Sequence, residues 1–337
     1  MMQEFIKKLV EGGDLTPEDA GKAMEAIMAG ASTPAQTAAF LTALRLKGET
    51  VEEIAAFARV MRSFADCIEP KVGPLVDTCG TGGDRCKTFN ISTITAFVMA
   101  GAGVSVAKHG NRSITSKCGS ADLLEALGVR IDLPPKAVER VIEEVGIGFM
   151  FAPTFHRAMK HAAGVRKEIG IRTVFNILGP LTNPAGARAQ LLGVYDAGLT
   201  EKMALVLRSL GSERALVVHG MEGLDEISIS GETRVSELKE GEVRSYALKP
   251  GEFGFDEYPI GELEGGDPLA NAATALAILQ GGEKGPRRDV VVLNAAAGIY
   301  VGGLARSIKA GVPLAEGSID SGRAYGKLKA LIERTKS

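Results

Sequence analysis

The sequence predicts an α/β protein with a small all-helical domain at its N-terminus and a larger domain whose central, mainly parallel sheet is flanked by helices. Two observations predict this fold. Helix-start signals occupy the first 66 residues, and from Leu75 onward short apolar strands alternate with helical segments. Such alternation is typical of a parallel sheet covered on both faces. The chain has 337 residues, 45% of them hydrophobic, which is enough for a large core and two domains.

The helix-start signals are three threonines, Thr16, Thr33 and Thr50, each followed three residues later by an acid or an amide. Pro17 and Pro34 occupy the first helical position after two of them. The third predicted helix, residues 35–46, is apolar around much of its circumference. A helix of this kind is buried on more than one side. We therefore expect either a partner subunit or a second layer of protein against it.

The larger domain is predicted from the apolar segments and the residues that punctuate them. A helix capped by Ser120 is predicted with Gly128 at its end, and another is predicted from Pro135 to just before Gly146. The residues between Ile227 and Phe255 alternate in polarity, which predicts antiparallel pairing around a hairpin turn at 230–232. The first predicted strand ends at Leu75-Val76. The other predicted strands cover residues 104–107, 129–132, 190–195, 215–219 and 289–293. The other predicted helices cover Ile94 to about Ala100 and begin at Thr200, at Pro268 and at about Ser318.

The stretch between Leu75 and Thr93 carries the first chemical signal. Glycines at 80, 82 and 83 lie between a strand and a helix, where backbone N–H groups can bind phosphate. The alternative is an ordinary glycine turn capped by Ser92 or Thr93. A Walker A loop is excluded because Cys86 precedes Lys87-Thr88, and a dinucleotide fingerprint is excluded because Arg85 replaces its third glycine. Asp84, an acid in an anion site, suggests that a metal or a sugar shares the pocket.

A second loop, residues 108–116, follows the next predicted strand and offers two cations, Lys108 and Arg112, with several hydroxyls. Carboxyl ends of strands are where open α/β sheets bind ligands, so the loop is suited to several phosphate oxygens. The alternative is a solvated basic loop. Because both loops follow successive strands of one sheet, we expect them to open on the same edge.

An adjacent acid pair, Asp225-Glu226, follows the strand that ends at His219. Carboxylates beside a pyrophosphate site suit Mg²⁺, although surface acids at a strand end are the commoner case. A cluster of cations between Phe155 and Thr173 is predicted to be mostly a solvated helix face. Arg166 is the exception that we single out, because a Gly164-Val165 break precedes it. The cluster comprises Arg157, Lys160, His161, Arg166, Lys167 and Arg172.

Composition narrows the class of protein. The net charge of −2 gives no field that would attract nucleic acid or a membrane surface. The four cysteines have no paired zinc spacing, and the first residues lack a signal-peptide pattern, so we expect a cytoplasmic protein with reduced thiols. No Ser-His-Asp or HExxH pattern occurs, which disfavours hydrolysis by a nucleophile or zinc.

Seven motifs in order along the chain together resemble anthranilate phosphoribosyltransferases, and the resemblance covers essentially the whole chain. Any one of them alone would be weak evidence. They are Gly80-Thr81-Gly82-Gly83-Asp84, Asn90-Ile91-Ser92-Thr93, Lys108-His109-Gly110-Asn111-Arg112, Gly119-Ser120-Ala121-Asp122, Val165-Arg166-Lys167-Glu168, Leu178-Gly179-Pro180-Leu181-Thr182-Asn183-Pro184 and Leu224-Asp225-Glu226.

The resemblance implies a helical domain over residues 1–66, with a returning segment near 165–185, and an α/β domain over 72–337. It also implies a homodimer formed through the helices. The implied reaction transfers the phosphoribosyl group of 5-phosphoribosyl 1-pyrophosphate (PRPP) to the amine of anthranilate in tryptophan biosynthesis, with two Mg²⁺ ions per subunit. Neither nucleic acid nor a membrane is an expected partner.

The resemblance also implies the residues of the site. Gly80, Asn111 and Arg166 would contact anthranilate, and Ser92, Asp225 and Glu226 would serve Mg²⁺. Lys108, Asp225 and Glu226 are the electrostatic candidates for catalysis, and no other catalytic residue is assigned. The residues that would bind PRPP are Gly80, Gly83, Asp84, Thr88, Asn90, Ile91, Ser92, Thr93, Lys108, His109, Gly110, Asn111, Arg112, Ser113, Ile114, Thr115, Ser116 and Ser120.

The chain departs from the family pattern at a few positions, including a basic Arg85-Cys86-Lys87 and Arg157 near the expected anthranilate entrance. Two other functions remain as alternatives. A pyrimidine nucleoside phosphorylase would share the fold and a similar Lys-His-Gly-Asn loop, but the acid pair and Arg166 fit it less well. A non-catalytic nucleic-acid-binding relative would need a basic face, which the net charge disfavours.

Overall fold

The computed structural model describes residues 1–83, 86–113 and 117–336, which form four N-terminal helices followed by a seven-stranded sheet with helices on both faces. The N-terminal helices are α1 (Met2–Val10), α2 (Pro17–Met28), α3 (Pro34–Lys47) and α4 (Val51–Ser63). The strands are β1 (Leu75–Gly80), β2 (Ser105–Gly110), β3 (Ile147–Phe151), β4 (Ala189–Gly193), β5 (Arg214–Gly220), β6 (Thr233–Lys239) and β7 (Glu242–Leu248).

The remaining helices lie between and after the strands. They are α5 (Ile91–Ala102), α6 (Ser120–Ala126), α7 (Pro135–Val145), α8 (Ala152–Phe155), α9 (Lys160–Ile169), α10 (Phe175–Leu178), α11 (Leu199–Ser209), α12 (Pro268–Leu279), α13 (Pro286–Val301), α14 (Ile308–Asp320) and α15 (Arg323–Lys336). Single 3₁₀ turns occur at Arg157–Met159, Gly179–Leu181, Pro250–Phe253 and Ile260–Leu263. None of the helices in the described ranges has the length and apolar character that crossing a bilayer requires.

The three capping threonines act as the sequence predicts. Thr16, Thr33 and Thr50 each accept a hydrogen bond from the backbone N–H three residues later, and the last two form complete capping boxes. The capping acid Glu53 is also fully buried. Its carboxylate accepts from the Leu15 and Thr50 N–H groups and from the Lys47 ammonium at 2.8–2.9 Å, so one side chain joins three segments of the helical region.

The apolar character of α3 is accounted for largely within the chain. Phe40 and Leu44 are fully buried, and the Phe40 ring contacts the Phe57 ring edge-on with centroids 6.2 Å apart. Helix α3 packs against α1 and α9, which supply the second layer that the sequence analysis named as one of two possibilities. Phe40 and Leu44 therefore face the interior of this chain rather than a partner.

The order of the strands in the sheet is β3-β2-β1-β4-β5-β6-β7. The first five of these are parallel, and β6 and β7 join antiparallel to the β5 edge. The chain moves from β1 outward to β3 in one direction and then returns to build β4 and β5 on the other side of β1. The direction in which strands are added therefore reverses between β1 and β4, which is the topological switch point of the sheet. In open α/β sheets, the carboxyl ends of the strands at the switch point form the crevice that binds the ligand.

Two hydrophobic clusters lie on opposite faces of the sheet. One contains buried residues of α5, α7 and α12–α15 together with the side chains of β1–β3 that face them. The other combines α1–α4 with α11, with residues between 162 and 181, and with Leu192 and Val217 of the sheet. The core of the N-terminal helices therefore continues onto the sheet without interruption.

Two predicted strands are wrong. Residues 129–132 form no strand, and the edge strand next to β2 is instead β3, which the sequence analysis missed because it begins one residue after Gly146 ends α7. Residues 289–293 lie inside α13. Their valines suggested a strand, but Pro286 begins a helix that is buried on nearly all sides. A helix and a strand buried in this way have the same apolar sequence signature.

The antiparallel pairing is confirmed, but its turn lies elsewhere. Residues 230–232 precede β6, and the two-residue turn between β6 and β7 is Glu240-Gly241, with φ values of 54° and 80°. Positive φ at both central residues matches the twist of paired strands.

Several boundaries also shift. Strand β1 begins at Leu75, where the sequence placed the end of a strand, and α5 begins at Ile91 rather than Ile94. Ser120 is the first residue of α6 rather than its cap, and Ser318 lies within α14.

Candidate active site

The two predicted loops do open on one edge of the sheet, because they follow the adjacent parallel strands β1 and β2. The segment after β5 that contains Asp225 and Glu226 reaches the same edge. Of the predicted residues, Asp84, Ile114, Thr115 and Ser116 lie outside the described residues, as does Arg85.

Asp225 occupies the switch point between β1 and β4. A Cβ atom added to Gly80 would lie 2.3 Å from Asp225 Oδ2, and one added to Gly193 would lie 1.6 Å from the Asp225 carbonyl oxygen. Both strand ends must therefore be glycine for the acid to fit. The Gly82 N–H donates to Oδ2 at 2.9 Å, so the carboxylate also fixes the glycine loop. Burial raises the pKa of Asp225, and this N–H and the Lys108 charge oppose the rise.

Glu226 lies against the first turn of α5, where its Oε1 accepts from the Ser92 N–H at 3.1 Å. The carboxylate is only 7% exposed. A helix N-terminus favours a negative charge through its dipole and its N–H groups. Asp225 and Glu226 thus diverge from adjacent positions, one toward the glycine loop and the other toward α5.

Lys108 connects the two loops from inside the sheet. Its side chain is 3% exposed, and its ammonium donates to the Thr78 carbonyl at 2.5 Å and lies 3.3 Å from Ser92 Oγ. Ser92 therefore lies between a buried cation and the Glu226 carboxylate. Burying a charge without such partners would be costly.

Arg112 differs from the expectation of a cation open to a ligand. Its guanidinium pairs with Asp122 at 3.0 Å and with Glu125 at 2.9 Å, both on α6. The same Asp122 carboxylate accepts from the Ser113 and Gly119 N–H groups. These bonds fix the base of the second loop, and of its two predicted cations only Lys108 faces the switch point.

Asn111, in the same loop, is held by short-range contacts. The Asn111 carbonyl accepts from Ser120 Oγ and from the Ala121 N–H, both at 3.2 Å, and the Asn111 side chain accepts from the Arg112 N–H. A Cβ atom on Gly110, the last residue of β2, would lie only 2.3 Å from Ser120 Oγ. Glycine at this position therefore allows α6 to approach the end of the strand.

Two buried histidines lie beside this loop, and the sequence analysis assigned a role to only one of them. The rings of His109 and His156 have centroids 5.0 Å apart. Burial lowers the pKa of His109 to about 3, with help from the nearby His156, and lowers the pKa of His156 to about 4. Both imidazoles are therefore neutral at neutral pH.

The residues around the start of α5 are held mainly by the protein itself. Ile91 and Thr93 are buried in the core, so only their backbone can meet a ligand. Asn90 donates to the Cys118 carbonyl at 3.0 Å and accepts from Asn271 at 2.9 Å. Thr88 forms an isolated β-bridge with Glu264. Asn271, on α12, was not found from the sequence because it lies 181 residues from its partner.

Gly164 and Val165 lie inside α9 and Arg166 lies in its last turn, so the predicted break at Gly164-Val165 is wrong. A single helical glycine does not stop a helix that is packed on α2 and α3. The guanidinium lies over the Phe175 ring at 5.2 Å and, within the described residues, has no hydrogen bond or ion pair. Burial lowers its pKa. Arg157, by contrast, pairs with Asp66 at 3.2 Å on the surface.

Among the described residues at this edge, the acid pair is the candidate for binding a metal. Within residues 1–83, 86–113 and 117–336 no group of three His, Cys, Asp or Glu side chains could hold an ion. Two adjacent carboxylates without a third ligand suit a cation that keeps its waters or shares a phosphate, rather than a closed protein cage.

Comparison with known proteins identifies the class that this fold and site define. Residues 3–65 match a model described as "Glycosyl transferase family, helical bundle domain" and residues 72–325 match one described as "Glycosyl transferase family, a/b domain". The chain belongs to this glycosyl transferase family. Within it, the chain belongs to the anthranilate phosphoribosyltransferases, because it is 59% identical to the enzyme of that name from Pelotomaculum thermopropionicum over 99% of this chain and 97% of the relative.

Solved structures agree. The anthranilate phosphoribosyltransferase of Thermus thermophilus is 49% identical with a TM-score of 0.94, covering 99% of both chains. The Saccharomyces cerevisiae enzyme in complex with PRPP and Mg is 30% identical with a TM-score of 0.91, covering 99% of this chain and 98% of that one. The same yeast enzyme has been solved with 4-fluoroanthranilate, at 28% identity and a TM-score of 0.90, with the same coverage. The expected phosphoribosyl transfer to anthranilate in tryptophan biosynthesis is thereby confirmed as the activity of the family.

The buried histidines make the stability of the fold depend on pH. Both pKa values lie below the ordinary 6.5, so the unfolded chain takes up protons as the pH falls through 6.5 while the folded chain does not until about pH 4. Stability is therefore lost as the pH falls, by up to about 2 kcal/mol for each histidine between pH 7.5 and 5. Urea unfolding at the two pH values measures this loss.

The contribution of the histidines is the difference between wild type and a His109→Asn/His156→Asn variant, which should lose less stability over the same interval. His161→Asn, at an exposed position of α9, is the matched control and should behave as wild type. An unchanged pH dependence in the double variant would contradict the assignment.

Proposed function

We propose that the edge formed by the ends of β1, β2 and β5 holds PRPP for transfer of its phosphoribosyl group to the amine of anthranilate. One observation carries this proposal: at the switch point Asp225 accepts from the glycine loop, while the adjacent Glu226 and the Lys108 ammonium both contact Ser92 in the first turn of α5. The pyrophosphate of PRPP lies against the glycine loop and the first turn of α5. The ribose 5-phosphate lies against the loop that follows β2, which begins with Asn111 and Arg112.

The predicted PRPP contacts fall into three groups. Gly80, Gly83, Ile91 and Thr93 contribute backbone N–H groups or room for close approach, because they have no accessible side-chain function. Lys108 contributes charge. The remaining predicted contacts supply polar side chains or backbone groups along the two loops, and they stay predictions. They are Asp84, Thr88, Asn90, Ser92, His109, Gly110, Asn111, Arg112, Ser113, Ile114, Thr115, Ser116 and Ser120.

The acid pair is proposed to hold magnesium, two ions per subunit, with Ser92 as a further oxygen ligand. The donor set fits, because both groups are hard oxygen ligands and Asp225 remains partly exposed at the crevice. Its burial-raised pKa adds support, since a carboxylate short of solvation gains from a nearby cation. When bound, Mg²⁺ supplies positive charge to the pyrophosphate.

We expect the protein to catalyse the reaction mainly by electrostatic stabilisation of the charges that form as the bond breaks. Breaking the bond between C1 and the pyrophosphate oxygen builds positive charge on the ribose and negative charge on the leaving group. The Lys108 ammonium and the loop N–H groups are placed to stabilise the leaving charge. The aryl amine of anthranilate is neutral at pH 7, so no strong base is required. The neutral His109 and His156 rings add no charge that would oppose the ribose cation.

Arg166 is proposed to bind the anthranilate carboxylate, with Gly80 and Asn111 near the ring and amine. A half-buried guanidinium with an aromatic face below it and no carboxylate partner in the described residues is suited to a planar anion. The segment after α9 reaches the glycine loop, because Arg172 contacts Gly83. The acceptor would then lie beside the donor.

We also propose the broader organisation of the protein. The helical domain covers residues 1–66 with a returning segment near 165–185, the α/β domain covers 72–337, and the protein is cytoplasmic. Neither alternative function has a supporting observation: the named relatives are anthranilate phosphoribosyltransferases, and the acid pair is intact.

The first test concerns the acid pair. Asp225→Asn/Glu226→Gln should lower the rate of PRPP-dependent anthranilate consumption, followed by fluorescence, by at least ~10²-fold, because transition-state charge loses its stabilisation. Asp256→Asn/Glu257→Gln is a matched control that alters the same dipeptide at an exposed position. Near-normal activity of the first variant at ordinary Mg²⁺, with circular dichroism confirming the fold, would refute the assignment.

The second test concerns Arg166. Arg166→Ala should lose roughly 2–4 kcal/mol in kcat/KM for anthranilate, as for truncation of a charge-paired contact. The loss should occur mainly in KM, because the carboxylate does not react and is bound equally in substrate and transition state. Arg166→Lys should recover part of the loss, and Lys167→Ala, exposed on the same helix, should keep wild-type values. A normal KM for anthranilate with a raised KM for PRPP would move Arg166 to the phosphate site.

The third test concerns the homodimer, which we propose forms through the helical domain. Val10 and Leu46 are 72% and 83% exposed at the ends of α1 and α3, two helices that pack together. Light scattering at micromolar concentration should give a dimer, and Val10→Asp/Leu46→Asp should weaken it without unfolding the chain, since both side chains are exposed. Leu269→Asp, at a 75% exposed position on α12, is the control. A wild-type monomer would exclude this proposal.

A further inference from the structure

Arg172 makes contacts that the sequence analysis did not foresee. The sequence predicts Arg172 as one of the solvated cations of a helix; the residue is indeed exposed, but it follows the end of α9. Its guanidinium donates through Nη2 to the Gly83 carbonyl at 2.5 Å. The same guanidinium lies over the ring of Tyr195, 4.3 Å from the centroid. A planar guanidinium can stack on an aromatic ring and donate in its own plane at the same time.

The glycine loop is shaped for this contact. Gly83 has a φ of +76°, and a Cβ atom there would lie 2.9 Å from Arg172 Nη2. A side chain at position 83 would therefore strain the backbone and push the guanidinium away. The two preceding residues are held by other groups. The Gly82 N–H donates to Asp225, and the Thr81 N–H donates to the Gly193 carbonyl at 2.9 Å.

Tyr195 belongs to the same arrangement. It follows β4, and its N–H donates to Thr81 Oγ1 at 3.1 Å. Burial raises the pKa of the Tyr195 hydroxyl, and the charges of Arg45 and Arg172 oppose that rise. Arg45 lies near the end of α3, so the ring that supports Arg172 is within electrostatic range of the helical region.

We propose that Arg172 is a positioning residue for PRPP, a clasp that holds the glycine loop in its binding conformation against Tyr195. The inference rests on the proposed function of that loop. The clasp joins the segment that follows Arg166 to the loop that meets the pyrophosphate. Without it, Gly82 and Gly83 sample more conformations, and PRPP must order them on binding.

The expected signature is therefore a change in the KM for PRPP rather than in the KM for anthranilate. Arg172→Ala removes one charge-assisted hydrogen bond and one cation–aromatic contact, and should raise the KM for PRPP by about 5–30-fold. Arg172→Lys should recover part of this, because an ammonium donates but does not stack as a plane. Tyr195→Leu should resemble Arg172→Ala, Tyr195→Phe should resemble wild type, and the Arg172→Ala/Tyr195→Leu double variant should be no worse than either single variant.

Hydrogen exchange of the protein without substrate provides a readout that does not depend on activity. The peptide containing Gly82 and Gly83 should exchange faster in Arg172→Ala and Tyr195→Leu than in wild type. Arg208→Ala, at an exposed position on α11, is the matched control and should change neither exchange nor KM.

The outcomes separate this proposal from the proposed function. If wild type does not consume anthranilate with PRPP, the proposed function fails whatever Arg172 does. If wild type is active and Arg172→Ala changes neither loop exchange nor the KM for PRPP, the clasp is refuted. A rise confined to the KM for anthranilate would also overturn it, because Arg172 would then belong to the acceptor site.

Discussion

The close approach of Asp225 to the ends of β1 and β4 is the constraint on which the rest of the site depends. The acid fits only because Gly80 and Gly193 lack side chains, and its carboxylate then receives the Gly82 N–H. One residue therefore holds the glycine loop against the paired ends of two strands and places the adjacent Glu226 at the first turn of α5. A buried acid in a crevice is costly, and its neighbours are arranged so that the charge is used rather than neutralised.

Some of the titratable groups around the crevice carry charge that faces it, whereas others are paired elsewhere or neutral. Lys108 faces the switch point from beneath, whereas Arg112 is occupied by α6 and serves to hold its loop. His109 and His156 are neutral, and Arg166 is partly desolvated. Fixed positive charge thus lies where pyrophosphate and a carboxylate are expected, and neutral groups lie beside the loop between them. Such preorganisation in a region of low dielectric requires little rearrangement during reaction.

Local signals in the sequence predicted the features that depend on a few adjacent residues. The capping threonines, the helix that ends at Gly146 and the two loops after successive strands are of this kind. Because parallel strands share their carboxyl edge, the meeting of Asp225 with the glycine loop also followed from the predicted order. The errors arose where packing overrides local preference: the valines at 289–293 lie in a buried helix, and Gly164 does not interrupt α9. Asn271 and Arg172 could not be found, because their contacts join residues 181 and 89 positions apart and have no local pattern.

The continuous core beneath the sheet has a consequence for how the two regions relate. Buried residues of α1–α4 pack in one cluster with Leu192, Val217 and α11, and chain segments between 162 and 181 fill the space between them. Separating the first 66 residues would expose to water the part of that face that α1–α4 cover, together with most of the apolar surface of those helices. The boundary between the two matched family models near residue 70 therefore crosses a shared core, and a recombinant fragment cut there would expose apolar surface on both pieces.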